Sequence, residues 1–165
     1  MRRAKILAPI MVAVLLMASI GVALAQSPHF ISRPTNASGP DALGNLTVNF
    51  KIAGLGSNVW TTVTASADAT AEYACRNRGG NFPSDPKKQE VAGPVTASGG
   101  FESGKNGQIT GSLTLRPPAA TISCPGNQQL VLLNVTYTNV AVSEPNVGTP
   151  QPIPGTFSRT FLTIN

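Results

Sequence analysis

Only two side chains in this sequence have their chemistry decided by count alone, Cys75 and Cys124. The first sits in Tyr73-Ala74-Cys75-Arg76-Asn77-Arg78-Gly79-Gly80 and the second in Ser123-Cys124-Pro125-Gly126. In an oxidising compartment each thiol has one available partner, so the pair predicts a single disulfide. Closing a loop of about 50 residues removes denatured-state entropy worth about 4 kcal/mol in the chain-entropy picture.

The remaining reactive types are sparse. His29 is the only histidine, and with no second ligand or nucleophile near it the expectation is an exposed or packing side chain. The seven acids are scattered, with no D-x-D or E-x-x-E pairing. A Ser-His-Asp or Cys-His arrangement would have to recruit His29 from a Pro-rich lead-in or break the bridge. The reading is therefore no catalytic residues, no metal, no cofactor and no enzymatic activity. Distant carboxylates that converge on folding leave a polysaccharide hydrolase as the enzymatic alternative.

One stretch concentrates charge. Arg76, Arg78, Phe82, Lys87 and Lys88 surround Gly79-Gly80 in a polar loop running from Asn77 to Glu90. Cations beside an aromatic and glycines suit contact with a polyanion or a protein, and they also suit a solvated connection pinned by the adjacent bridge. Asn36, Asn45 and Asn134 each fit the glycosylation sequon, a match that Asn/Thr-rich sequences produce by chance.

Arg2, Arg3 and Lys5 precede an apolar run from Ile6 to Leu24, and Ala23-Leu24-Ala25 supplies small residues. This predicts a secretory signal peptide over residues 1–25, bacterial in style, with Gln26 as the new N-terminus. Its loss leaves nine cations against seven acids, a net charge near +2 where the full chain has +5. That balance removes the main support for nucleic-acid binding, which needs clustered cations and stacking aromatics. No later apolar run could span a membrane, so the expected product is secreted and extracellular, without membrane contact after cleavage.

The scarcity of charge and the abundance of Gly, Pro, Thr, Ser, Asn and Val predict strands and tight turns. Residues 26–44 read as an irregular or edge-pairing lead-in, and residues 45–165 as the β-domain. Leu46, Val48, Phe50 and Ile52 alternate with polar residues over Asn45–Ile52, which marks a half-buried strand. A second strand is expected over Val59–Ala67, with Trp60 on its opposite side, near a turn, at a strand edge or exposed as an anchor, and core or edge packing is the expectation. Asp68-Ala69-Thr70 reads as a connection, followed by a strand carrying Ala71, Tyr73 and Cys75 inward. Val91–Ala97, broken by Gly93-Pro94, suits an edge. Phe101 belongs to a short piece, and Asn106-Gly107 signals a hairpin into Ile109–Leu115. A short strand is expected at Ile122 and Cys124. Leu130–Val142 is the longest run, with a change of phase near Asn139 that implies a bulge or a bend between sheets. After a Pro-rich loop from Glu144 to Pro154, Thr156–Ile164 closes the chain. The sum is an all-β, antiparallel, immunoglobulin-like sandwich of about eight strands with one disulfide.

Tyr73-Ala74-Cys75, preceded by Asp68 and Ala71, resembles the end of the Asp-x-Ala-x-Tyr-x-Cys strand of immunoglobulin domains. Asp68 is one place too far from the cysteine and Trp60 precedes both cysteines, so the likeness extends to the architecture and not to the family. The chain also resembles small secreted proteins of actinobacteria and their relatives that carry no assigned activity. That resemblance rests on Ser27-Pro28-His29-Phe30, Lys51-Ile52-Ala53-Gly54-Leu55-Gly56, Tyr73 to Gly80, Lys105-Asn106-Gly107, Cys124-Pro125-Gly126-Asn127-Gln128 and Pro154-Gly155-Thr156-Phe157-Ser158. It implies secretion and paired cysteines. The expected function is an extracellular binding or surface-interaction module whose partner is a cell-wall polymer, a polysaccharide or another protein. A secreted enzyme inhibitor or small-ligand carrier is the alternative.

Overall fold

The computed structural model describes residues 27–164, and the signal peptide read at residues 1–25 lies outside the described residues. Strands β1 (His29–Phe30), β2 (Asn36–Ser38), β3 (Leu46–Ala53), β4 (Trp60–Asn77), β5 (Lys88–Glu102), β6 (Ile109–Leu115), β7 (Gln128–Ser143), β8 (Gln151–Pro152) and β9 (Phe157–Thr160) follow one another, with no helix among the described residues. They form two antiparallel sheets. In one, β3 pairs with β6 along one side and with β1 and β2 along the other. The other runs β5-β4-β7, with β8 and β9 both on the outer side of β7.

The core lies between the sheets. Leu46, Val48, Phe50 and Ile52 point from β3 towards Val63, Ala65, Ala67, Ala69 and Ala71 of β4 and Val135, Tyr137, Val140 and Val142 of β7. The small side chains on β4 leave room for the larger ones of β3 and β7 that pack against them. Phe50 meets Phe101 of β5 edge-on, with ring centroids 5.0 Å apart. The rings converge over Gly111 of β6, where a Cβ would lie 2.6 Å from Phe101 Cε1 and 2.8 Å from Phe50 Cζ.

β4 is a correction to the sequence reading. Asp68-Ala69-Thr70 does not connect two strands; the strand continues through it for 18 residues. Asp68 faces solvent and accepts from Asn139 Nδ2 at 2.8 Å, while Ala67, Ala69 and Ala71 stay buried on either side. The expected bulge is present. The β4–β7 register shifts between Ser66 and Asp68, opposite Asn139, whose φ is 51°. The extra residue returns Val140 and Val142 to the same buried face as Val135 and Tyr137.

Four further expectations change. Asn106-Gly107 does make a tight turn, with Gly107 at φ 70° and Gly104 N–H donating to the Gln108 carbonyl at 2.9 Å. Its flanking strands, however, pair with β4 and β3 in different sheets, so the turn carries the chain across the sandwich and is no hairpin. Ile122 and Cys124 lie in a strandless connection, because Gln89 takes the backbone N–H groups of Thr121 and Ile122 at 2.8 and 3.0 Å where a ladder would have. Trp60 is 69% exposed at the start of β4, neither core nor covered edge. The closing strand is shorter than expected, Phe157–Thr160, because the chain leaves the ladder after Phe161 N–H bonds the Leu133 carbonyl at 2.7 Å.

β5 is the edge that its composition suggests. Cys75 N–H donates to the Lys87 carbonyl and Ser103 N–H to the Val59 carbonyl, both at 2.9 Å. With an unbroken register between these points, the odd residues of β5 face β4 and the even ones, Pro94 included, turn their backbone groups to solvent.

Tyr137 ties one end of the core. Its hydroxyl donates to the Gly44 carbonyl at 2.7 Å in a fully buried setting. Burial first, and then the nearby Tyr73 and Asp41, raise its pKa above the ordinary 10.0. A phenol held neutral in the fold stabilises it below the unfolded pKa, and that stability is lost as alkali ionises the unfolded chain. Tyr137→Phe is expected to cost about 1–3 kcal/mol near neutrality, because the Gly44 carbonyl is left unpaired. The same substitution should flatten the loss of stability from about pH 9 to about pH 11, read as urea midpoints across that range.

Candidate functional site

The disulfide forms as the two cysteines predict. Cys75 and Cys124 are joined with their Cα atoms 5.5 Å apart, and no cysteine is free. Cys75 is fully buried at the far end of β4, and the bridge tethers the Arg116–Asn127 connection to that end of the sheet. Tyr73 Oη adds a bond to the Pro118 carbonyl at 2.8 Å, and Lys87 Nζ one to the Ser123 carbonyl at 3.2 Å.

This anchoring divides the five residues named from sequence, of which Arg76 belongs to the end of β4 and Lys88 to the start of β5, so the loop is shorter than the Asn77 to Glu90 stretch expected. Arg76 and Phe82 come together, lining a groove of about 330 Å³ with Gly80, Asn81, Leu162 and Thr163. Lys88 lies in the adjoining groove of about 320 Å³, which shares Leu162 and Thr163 and also contains Glu72 and Asn134. Lys87 is turned to Ser123, away from both. Arg78 stays exposed on a turn held by bonds from Asn77 N–H to the Asn81 carbonyl and from Arg78 N–H to the Asn127 carbonyl.

Arg76 Nε is buried and has no hydrogen-bond partner. A guanidinium donor in that position retains its desolvation cost until something accepts from it. An oxyanion seated between Arg76 and Phe82 would meet the part of the guanidinium that lines the groove, with the second cation, Lys88, on the neighbouring wall. Lys88 is the weaker attraction, since the Glu72 carboxylate beside it offsets its charge.

The acids do not build a cleft. Glu72 and Glu90 are cross-strand partners, but the Glu72 carboxylate accepts from Asn134 Nδ2 at 2.7 Å on the β7 side. Glu144 is buried and engaged by Thr61 Oγ1, by the N–H groups of Asn146 and Val147 at 2.8 and 2.9 Å and by Asn146 Nδ2 at 2.8 Å. It fastens the Pro-rich loop to β4. Asp41 closes the turn ahead of β3, and the bond from Asn45 N–H holds its pKa below the usual 3.8. Among the described residues no group of three or more His, Cys, Asp or Glu converges in a way that would hold a metal ion. His29 is exposed, with Nδ1 2.8 Å from the Ser27 carbonyl.

Sequence reasoning missed Leu162 and Thr163, which wall both grooves. No local signal marks them. They reach the loop only because β9 pairs with β7 and leads the chain back across the sheet. No family model matches the chain, no curated protein matches it, and no solved structure matches it.

Proposed function

We propose that the chain is an exported, non-enzymatic module with an immunoglobulin-like sandwich architecture, which binds an anionic polymer through the Arg76–Phe82 groove. The observation that carries this reading is Arg76 and Phe82 lining one open groove, a guanidinium and an aromatic ring on the same surface, with the buried Arg76 Nε left without a partner behind it. The buried disulfide at the base of the loop supports it, because a bridge holds the groove's near wall in place in an oxidising setting. The ligand class is a phosphodiester or uronate polymer of a cell envelope, whose repeated oxyanions match a guanidinium fork flanked by further cations.

The test is retention of the disulfide-bonded protein on purified cell wall bearing phosphodiester polymer. Retention is expected at about 50 mM salt and release by about 0.5 M, as screening shortens the reach of exposed charge. Converting Arg76, Arg78, Lys87 and Lys88 together to Gln should abolish it. Among single changes, Arg76→Gln should weaken binding about tenfold or more, whereas Lys87→Gln should weaken it by less than about threefold, because Lys87 is already committed to Ser123. Unchanged retention by the fourfold variant would remove the groove from consideration.

A further inference from the structure

The opposite end of β4 carries a feature that the cationic groove does not explain. Trp60, the only tryptophan of the chain, leaves 69% of its surface in water. Such exposure leaves a large amphipathic ring, apolar over its faces and polar at its N–H, available at the surface. Its ring has a defined seat. A Cβ placed on Gly100 of β5 would lie 3.6 Å from Cζ3 and 3.9 Å from Cε3 of the indole. The ring therefore lies within van der Waals reach of the neighbouring strand at Gly100, with the rest of its surface open.

The surface beyond the ring is made of hydroxyls. Successive outward residues of β4 are Thr62, Thr64 and Ser66, and their register partners on β5 are Gly100, Ser98 and Thr96. Thr64 Oγ1 and Ser98 Oγ lie 2.8 Å apart, which orders the pair and leaves further lone pairs and a proton facing outward. Side chains of one strand recur at about 7 Å on this face, and strands stand about 4.8 Å apart. The only charge in register with this stretch is Glu102, the cross-strand partner of Trp60.

We infer that Trp60 and the Thr62–Thr64–Ser98 surface form a binding site for neutral glycan chains. The C–H face of a pyranose ring is an apolar plane that packs on an indole, while its equatorial hydroxyls need donors and acceptors at the periphery; this site offers both, and little else. A nucleic acid would require cations here, and the face carries none beside Trp60. An acidic polymer is disfavoured by Glu102, which instead accepts hydroxyl protons. A protein hot spot would set the tryptophan among further large apolar groups, and the neighbours are Thr, Ser and Gly. The site lies about 16 strand residues from Arg76, roughly 50 Å along β4, and stands on different residues from the anionic groove.

A single tryptophan makes the test direct, since all indole emission reports this site. The full-length, disulfide-bonded protein is titrated with soluble neutral glucans of β-1,4, β-1,3 and α-1,4 linkage, with phosphatidylcholine and phosphatidylglycerol vesicles run in parallel. At least one glucan is expected to shift or quench the emission, with little change at about 0.5 M salt. The same glucan should retard the protein in an affinity gel, and Trp60→Ala should weaken that retardation about tenfold or more while Trp60→Tyr retains part of it. Because Trp60 is exposed, its loss should leave the melting temperature nearly unchanged, and Arg76→Gln should leave glucan binding intact. Emission that responds to no glucan overturns the inference, as does a response confined to vesicles or glucan retardation that survives Trp60→Ala.

Discussion

Replacing Cys75 by Ala is expected to lower the stability of the fold by about 4 kcal/mol, the largest effect of any single change on the β4 end of the sheet. The bridge spans a sequence separation of 49 residues, which includes all of β5 and β6 and most of the connection that follows them. Freeing that length returns a large closure entropy to the unfolded chain. It also leaves a cavity at a position with no solvent exposure. A loss of this size is a large part of what a domain of this length has to spare. The measurement is the urea midpoint with and without reductant. Both Cys75→Ala and the reduced wild type should fall to a similar lower midpoint, and reductant should do nothing further to the variant. A midpoint that stays within about 1 kcal/mol of the oxidised wild type would remove the bridge as a main source of stability. The Arg116–Asn127 connection should exchange its amide protons faster in the variant. With the bridge gone it keeps the Gln89 contacts, the Tyr73 bond to Pro118, the Lys87 bond to Ser123 and the Arg78 N–H bond to the Asn127 carbonyl.

Phe50→Ala is the second large effect, expected at about 3–5 kcal/mol. Phe50 is 1% exposed on β3 and meets Phe101 of the opposite sheet at a ring separation of 5.0 Å and an interplanar angle of 90°. Deleting it removes the apolar area of one ring and the edge-to-face contact of the pair. Collapse around the void is restricted because Gly111 backbone already lies against both rings. β5 is an edge, so Phe101 should lose order along with its partner, and the β5–β6 side of the molecule should show the earliest hydrogen exchange. A cost below about 1.5 kcal/mol would mean that the two sheets are not held at this point by the aromatic pair.

How much of this was legible before folding depended on where the apolar signal was strong. β3 could be read residue by residue, because Leu46, Val48, Phe50 and Ile52 are large, alternate strictly and face a core on one side only. Its neighbour β4 could not, because its inner positions from Ala65 to Ala71 are alanines, too small to announce a buried face, and Asp68 imitates a turn residue. The bulge at Asn139 was visible as a change of phase, since valines on both sides must return to one interior. Asn106-Gly107 fixes the shape of a turn but not the partners of its strands, which depend on pairings far away in the chain. The bridge was legible because two thiols leave no combinatorics. Of the loop, the types of Arg76 and Phe82 were visible, but their convergence with Leu162 and Thr163 exists only in three dimensions. Trp60 was expected under cover, and no pattern in its own strand reveals that Gly100 lies across from Thr62.

The phase of β5 has a consequence for what the molecule does not join. A foreign strand laid along this border would look for alternating amides and carbonyls over the whole span of Lys88 to Glu102. Midway it meets the ring of Pro94, which has no proton to give, beside Gly93, which has no side chain to grip. The border is thereby cut into two short runs, each too brief to template an extended cross-strand stack, so a long open margin can persist in a concentrated surrounding without seeding fibres.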